Sequence, residues 1–74
     1  MNISEILGIN LKYYRKMLNL SQEKFTEIIG TTLSYINKIE NNRADVKLST
    51  IDKFVNKINA YDKSIKITHI DLLK

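Results

Sequence analysis

The 74-residue sequence has no cysteine, no proline and only two glycines. Without cysteine, it cannot form a disulfide framework or a thiolate metal site. The scarcity of proline and glycine favours helices over a turn-rich β fold. The apolar runs are a few residues long, whereas a membrane-spanning helix needs about 20. The N-terminus has no basic start followed by an apolar stretch, so we expect one cytoplasmic domain without a signal peptide.

The sequence offers little that could perform catalysis or bind a cofactor. The single histidine, His69, has no cysteine or second histidine to combine with, and we interpret it as a surface residue. Glu23 and Glu27 are four residues apart, which is a common spacing on a solvated helix face. There is no glycine-rich phosphate loop. We therefore expect neither an enzyme nor a metal or cofactor site.

The charge balance is modestly basic, with a formal net charge of +4. Such a charge suits a polyanionic partner, although many unrelated domains carry as much. The four tyrosines are scattered and do not form a platform for stacking single-stranded bases. A chain of this length buries only a small core, so oligomerisation would add stability.

Residues 21–43 predict two short helices joined by a tight turn. Ser21 and Thr32 are suitable N-cap residues, and Gly30 suits the left-handed conformation that follows a helix. In the second helix two isoleucines lie on one face, whereas small polar residues, amides and Lys38 lie on another. A polar face of this kind can bond to base edges and phosphates, as the second helix of a helix-turn-helix does in the major groove.

The flanking residues predict three further helices. Asn2 and Glu5 have capping-box spacing, which predicts a helix from Ile3 or Ser4 to about Leu18. Apolar residues at helical spacing predict a fourth helix that ends near Asn59 or Ala60: Leu48, Ile51, Phe54, Val55 and Ile58. Residues 61–68 could form a short strand or an extended link. A short helix from His69 to about Leu73 completes an all-α, five-helix prediction.

The first helix has two apolar stripes. Ile3, Leu7, Leu11, Tyr14 and Leu18 form the stripe that should face the core. Ile6, Ile9, Tyr13 and Met17 form a second stripe, turned by roughly 100° around the helix. This second stripe could widen the buried face or form a contact surface. Glu5, Lys12 and Lys16 mark the side that should face solvent.

The pattern resembles the helix-turn-helix domains of the phage repressor and Cro type. The matching residues are Ser21, Gln22, Phe25, Ile29, Gly30, Thr32, Ile36, Ile39, Glu40, Asn41 and Arg43, with Arg15 before them and Leu48, Ile51, Val55 and Ile58 after them. The resemblance covers roughly residues 8–60. It implies one lambda-repressor-like domain over residues 1–74 with its helix-turn-helix at 21–41. Thr26 and Asn42 stand where the family usually has alanine and glycine.

The resemblance also implies roles for individual residues. Those expected to meet base edges are Thr32, Leu33, Ser34, Asn37 and Lys38. Those expected to hold phosphates are Gln22, Tyr35, Asn41 and Arg43. Arg15 and Glu40 should form a bridge between the first helix and the recognition helix, although Arg15 could instead bind a phosphate.

These residues predict a sequence-specific regulator of transcription that binds double-stranded DNA. We expect a repressor that binds an inverted-repeat operator as a homodimer. The dimer segment should cover about residues 55–74, and its predicted interface residues are Ile58, Tyr61, Ile65, Ile67, Ile70, Leu72 and Leu73. The alternative is an antitoxin-like protein-interaction module that uses the same fold. Ile9, Tyr13 and Met17 support this alternative, because the family usually has polar residues there.

Overall fold

The computed structural model describes residues 2–74, which form five helices and no β-strand. The helices are α1 (Ile3–Met17), α2 (Gln22–Ile29), α3 (Leu33–Glu40), α4 (Leu48–Tyr61) and α5 (His69–Leu73). This confirms the all-α, five-helix prediction. Within the described residues, no helix is both long enough and apolar enough to cross a membrane.

Local capping interactions set the bounds of the central helices. The Ser21 hydroxyl accepts a hydrogen bond from the backbone N–H of Lys24 at 3.1 Å and caps α2. The Thr32 hydroxyl accepts from the backbone N–H of Tyr35 at 3.1 Å and caps α3. Gly30 ends α2 with a φ of 72°, a left-handed conformation that glycine adopts without steric cost. The tight turn predicted between α2 and α3 is therefore present.

All five helices contribute to one apolar core. α1 packs against α3 and α5, α2 packs against α3 and α4, and α4 packs against α5. The fully enclosed side chains include the two phenylalanines, Phe25 and Phe54, at the centre of the core. The other buried apolar side chains are Leu7, Leu11, Ile29, Ile36, Ile39, Ile51, Val55, Ile58, Ile67 and Leu72.

The segment between α4 and α5 is an extended link and not a strand. The Asn59 side chain satisfies both backbone hydrogen-bonding groups of Ile67, as a neighbouring strand would do in a sheet. Its Nδ2 donates to the Ile67 carbonyl at 2.9 Å, and its Oδ1 accepts from the Ile67 N–H at 3.0 Å. The link thereby places Ile67 in the core. At the start of α5, the Asp71 carboxylate accepts from the Thr68 backbone N–H at 2.8 Å, and this bond lowers the pKa of Asp71.

One prediction of burial is wrong, and one of the two alternatives for the second stripe of α1 is not what the structure has. Ile3 was expected on the core side, but it is the first residue of α1 and is 66% exposed. Leu48, the first residue of α4, is likewise 72% exposed. No neighbouring helix covers these two helix ends. The second stripe of α1 does not widen the buried face either, because Ile9, Tyr13 and Met17 are all exposed in the described chain.

Candidate nucleic-acid interface

α3 presents a polar face to solvent because its apolar face anchors it to the core. Ile36 and Ile39 are 0% and 2% exposed. The five residues predicted to meet base edges are all exposed and lie at or just before α3: Thr32, Leu33, Ser34, Asn37 and Lys38. They offer two hydroxyls, an amide, an ammonium group and the apolar side chain of Leu33, a set that can bond to base edges and contact thymine methyls.

A buried ion pair ties α3 to α1. The Arg15 Nε donates to Glu40 Oε2 at 2.8 Å, and its Nη2 donates to Glu40 Oε1 at 3.1 Å. The Glu40 side chain is 3% exposed and that of Arg15 is 11% exposed. A paired guanidinium and carboxylate in this fork geometry hold each other in one orientation.

The same carboxylate also connects α2 to the ion pair. The Gln22 Nε2 donates to Glu40 Oε1 at 3.1 Å, and the Arg15 Nη1 donates to the Leu20 carbonyl at 2.8 Å. Glu40 therefore accepts hydrogen bonds from α1 and α2 at once. We call Arg15, Gln22 and Glu40 the rear clamp. It fixes the orientation of α3 and leaves Arg15 little surface with which to bind a phosphate.

A close backbone approach between α1 and α3 supplements the rear clamp. Gly8, in the middle of α1, is buried. A Cβ atom at this position would overlap the main-chain oxygen of Ile39 and lie 2.7 Å from Asn42 Oδ1. Only glycine allows the two helices this separation without a shift. Gly8 was not predicted as a site residue, although a glycine inside a helix pattern often indicates close packing.

α4 stabilises the turn between α2 and α3. The Lys53 Nζ donates to the Gly30 carbonyl at 2.6 Å, across 23 residues of sequence. A cation at this position complements the partial negative charge at the C-terminal end of α2. Lys53 was not predicted as a site residue, because nothing in the local sequence indicates which helix end a lysine on another helix will reach.

The predicted phosphate-binding residues differ in how free their side chains are. Arg43 is exposed in the loop after α3, and Tyr35 is half-buried. The Gln22 amide donates to Glu40. The Asn41 amide donates to Asn37 within α3. Among these four residues, Arg43 alone carries a positive charge, and its side chain is exposed. It is therefore the one best placed to bind a phosphate.

The predicted dimer residues also divide into two groups. Ile58, Ile67 and Leu72 are 0%, 8% and 0% exposed, so they belong to the core of the chain itself and have no area left for a partner. Ile65 and Leu73 are half-buried against that core. Tyr61 and Ile70 are 49% and 57% exposed. Any contact surface in this segment therefore centres on Tyr61 and Ile70.

The described part of the chain, residues 2–74, has no cluster of three or more histidine, aspartate or glutamate side chains that could hold a metal ion. A sequence model of a helix-turn-helix family matches residues 11–62, which cover the rear clamp and all of α2, α3 and α4. The chain belongs to this helix-turn-helix family, of the phage repressor and Cro type.

One relative of this helix-turn-helix chain is the control protein C.SmaI of Serratia marcescens, which is 45% identical over 51 residues. The matched residues make up 69% of this chain and 61% of the control protein, so the similarity spans about three fifths of that protein's length. A similar solved structure is that of the hypothetical transcription factor NHTF from Neisseria, with a TM-score of 0.82 and 22% identity over 99% of this chain and 76% of that chain. At this identity the second comparison supports the fold alone.

Proposed function

We propose that the chain is a sequence-specific regulator of transcription that binds double-stranded DNA. The observation that carries this proposal is the contrast within α3: its exposed side is polar, and its other side is fixed by the core and the rear clamp. A helix that must enter a major groove needs both properties, because its side chains must be free and its axis must not tilt. The control protein of Serratia marcescens supports a regulatory role.

The five exposed residues of the α3 face would read the bases. The methyl group of Thr32 and the Leu33 side chain would contact thymine methyls, and Lys38 would donate to guanine O6 or N7. The Ser34 hydroxyl can donate or accept a hydrogen bond, so its chemistry does not indicate which base it would contact. Arg43 and Tyr35 would bind phosphates and set the register of the protein on the duplex.

We further propose that the regulator is a repressor that acts as a homodimer on an inverted-repeat operator. The exposed Tyr61 and Ile70 supply the apolar surface for the contact between protomers. A two-fold pair places its recognition helices about 34 Å apart, which is one turn of DNA. Sedimentation should give a dimer for the wild type and a monomer for Ile70→Asp. A wild type that stays monomeric and binds a single half-site with full affinity would refute the dimer.

Selection from a randomised pool of DNA duplexes tests the DNA-binding proposal. The wild type should enrich one sequence motif arranged as an inverted repeat. Ser34→Glu places a negative charge on the exposed face of α3 and should abolish the enrichment. Asn56→Glu adds the same charge at an exposed site on α4 and should enrich the wild-type motif. A wild type that enriches no sequence would refute the proposal.

The exposed stripe on α1 supports a second candidate function, that of an antitoxin-like or other protein-interaction module. Ile9, Tyr13 and Met17 are 51%, 60% and 46% exposed and follow one another at four-residue spacing. Apolar residues on one line of a helix are a common anchor for a partner protein. This function would be favoured if the wild type enriched no duplex and instead formed a complex with a protein that Tyr13→Glu could not bind.

A further inference from the structure

Two asparagines at the C-terminal end of α3 form a hydrogen-bonded pair, and the mode of DNA binding described above gives no role to the bonds between them. Asn41, the C-cap residue of α3, donates from Nδ2 to the main-chain carbonyl of Asn37 at 2.9 Å. The same Nδ2 donates to Asn37 Oδ1 at 3.1 Å. Both side chains are exposed, and Asn37 belongs to the face that carries Ser34 and Lys38.

These two bonds use the hydrogen-bond donors of the Asn41 side chain. An asparagine amide has two N–H donors, and its oxygen only accepts. With Nδ2 bonded to two acceptors of Asn37, Asn41 keeps only an acceptor for any third group. Phosphate oxygens are also acceptors, so Asn41 could bind a phosphate only by breaking its bonds to Asn37. The pair therefore argues against the phosphate role that the family resemblance implies.

The pair also fixes the orientation of the Asn37 amide. Asn41 Nδ2 is bonded both to the main-chain carbonyl of Asn37 and to Asn37 Oδ1, so the side-chain oxygen is held close to its own backbone. An amide oxygen can accept two hydrogen bonds, so Oδ1 keeps capacity for one more, and Asn37 Nδ2 donates to no other described residue. They form an edge with one acceptor and one donor side by side. This is the edge that asparagine uses to bind adenine at N6 and N7.

We propose that Asn37 reads an adenine in the major groove and that Asn41 is a positioning residue that holds the Asn37 amide in the reading orientation. This inference rests on the proposed DNA-binding function and names one of its base contacts. The pair should raise the affinity for adenine, because an Asn37 side chain that is already held in its bound conformation loses less conformational freedom on binding.

The test uses the duplex that the wild type enriches from the randomised pool, together with all its single-base-pair variants. Equilibrium titrations are performed with the wild type, Asn37→Ala, Asn41→Ala and the double variant. The wild type should prefer adenine at one position by about tenfold or more, the discrimination of one bidentate contact. Asn37→Ala should abolish that preference, and Asn41→Ala should reduce it while all other positions keep theirs. The double variant should match Asn37→Ala at that position, because the two residues act as one unit.

Two further variants separate positioning from folding. Asn56→Ala removes an exposed asparagine on α4 and should leave the whole profile unchanged. Asn41→Asp keeps the size of the side chain but cannot donate, so it should also reduce the adenine preference. Thermal unfolding of each variant checks that the fold is retained.

The inference is overturned if Asn41→Ala weakens every duplex equally and leaves the adenine preference intact, as loss of a phosphate contact would. It is also overturned if Asn37→Ala changes no base preference. In both cases the wild type still enriches a motif, so the proposed function stands. A wild type that enriches no motif refutes the proposed function and this inference together.

Discussion

The two sides of α3 differ in what their side chains contact. On the inner side, Ile36 and Ile39 enter the core, Glu40 accepts three hydrogen bonds from Arg15 and Gln22, and the backbone meets Gly8. On the outer side, the side-chain hydrogen bonds stay within α3 and its caps: the Thr32 hydroxyl accepts from the Tyr35 N–H, and Asn41 donates to Asn37. Substitutions on the inner side should therefore lower the free energy of unfolding. Substitutions on the outer side should change DNA binding and leave folding intact.

Removal of the buried cation should have the largest effect. Arg15→Ala leaves Glu40 buried without its charged partner, and a broken buried pair of this kind costs about 3–5 kcal/mol of unfolding free energy. Urea unfolding followed by circular dichroism measures the loss. Arg43→Ala removes an exposed arginine and is the matched control, with an expected change within about 0.5 kcal/mol. Unchanged stability of Arg15→Ala together with lost duplex binding would indicate that Arg15 binds a phosphate.

The close approach of α1 and α3 should be the next most sensitive feature. Gly8→Ala places a Cβ against the Ile39 carbonyl, and overpacking of this kind costs about 1–3 kcal/mol. Urea unfolding again gives the measurement. Lys12→Ala, at an exposed position of the same helix, is the control. If Gly8→Ala is as stable as the wild type or more so, α1 and α3 can separate freely and Gly8 does not set their distance.

On the outer side, Lys38→Ala should leave stability unchanged and weaken binding to the selected duplex. The expected loss is about 1–3 kcal/mol of binding free energy, with relaxed preference at one base pair. Fluorescence anisotropy titrations against single-base-pair variants measure both quantities. Lys57→Ala removes a lysine from the exposed side of α4 and serves as the control. An unchanged base preference for Lys38→Ala would remove Lys38 from the reading face.

The smallest expected effect is that of the phosphate contact. Arg43→Ala should weaken binding to all duplexes alike and reduce the slope of log affinity against log salt by about one. Titrations at several salt concentrations give the slope. If the slope equals that of the wild type, Arg43 does not neutralise a phosphate.

The helix-turn-helix could be predicted from sequence because its determinants are local. Ser21, Gly30 and Thr32 each act on the backbone within a few residues of themselves. Such cap and turn preferences do not depend on the rest of the fold. The exposed face of α3 followed from the same helix register, since the position of one buried residue fixes the direction of all the others on the helix.

Contacts between distant parts of the chain could not be predicted in the same way. The bonds from Lys53 to Gly30 and from Asn59 to Ile67 need the packed arrangement of α4 to be known first. The exposure of Ile3 and Leu48 has a related cause. Periodicity indicates which way a helical side chain points, but not whether another element covers it there.

The division of α3 into a side fixed by the core and the rear clamp and an exposed side proposed to contact bases can be tested by nuclear magnetic resonance. The selected duplex is titrated into ¹⁵N-labelled protein, and the shifts of backbone and side-chain N–H signals are followed. The account predicts the largest changes at residues 32–38, a change at Arg43, and an Arg15 Nε–H signal that keeps its position because its bond to Glu40 persists. Changes centred on Ile9, Tyr13 and Met17, with α3 unaffected, would contradict the account and assign the contact surface to α1.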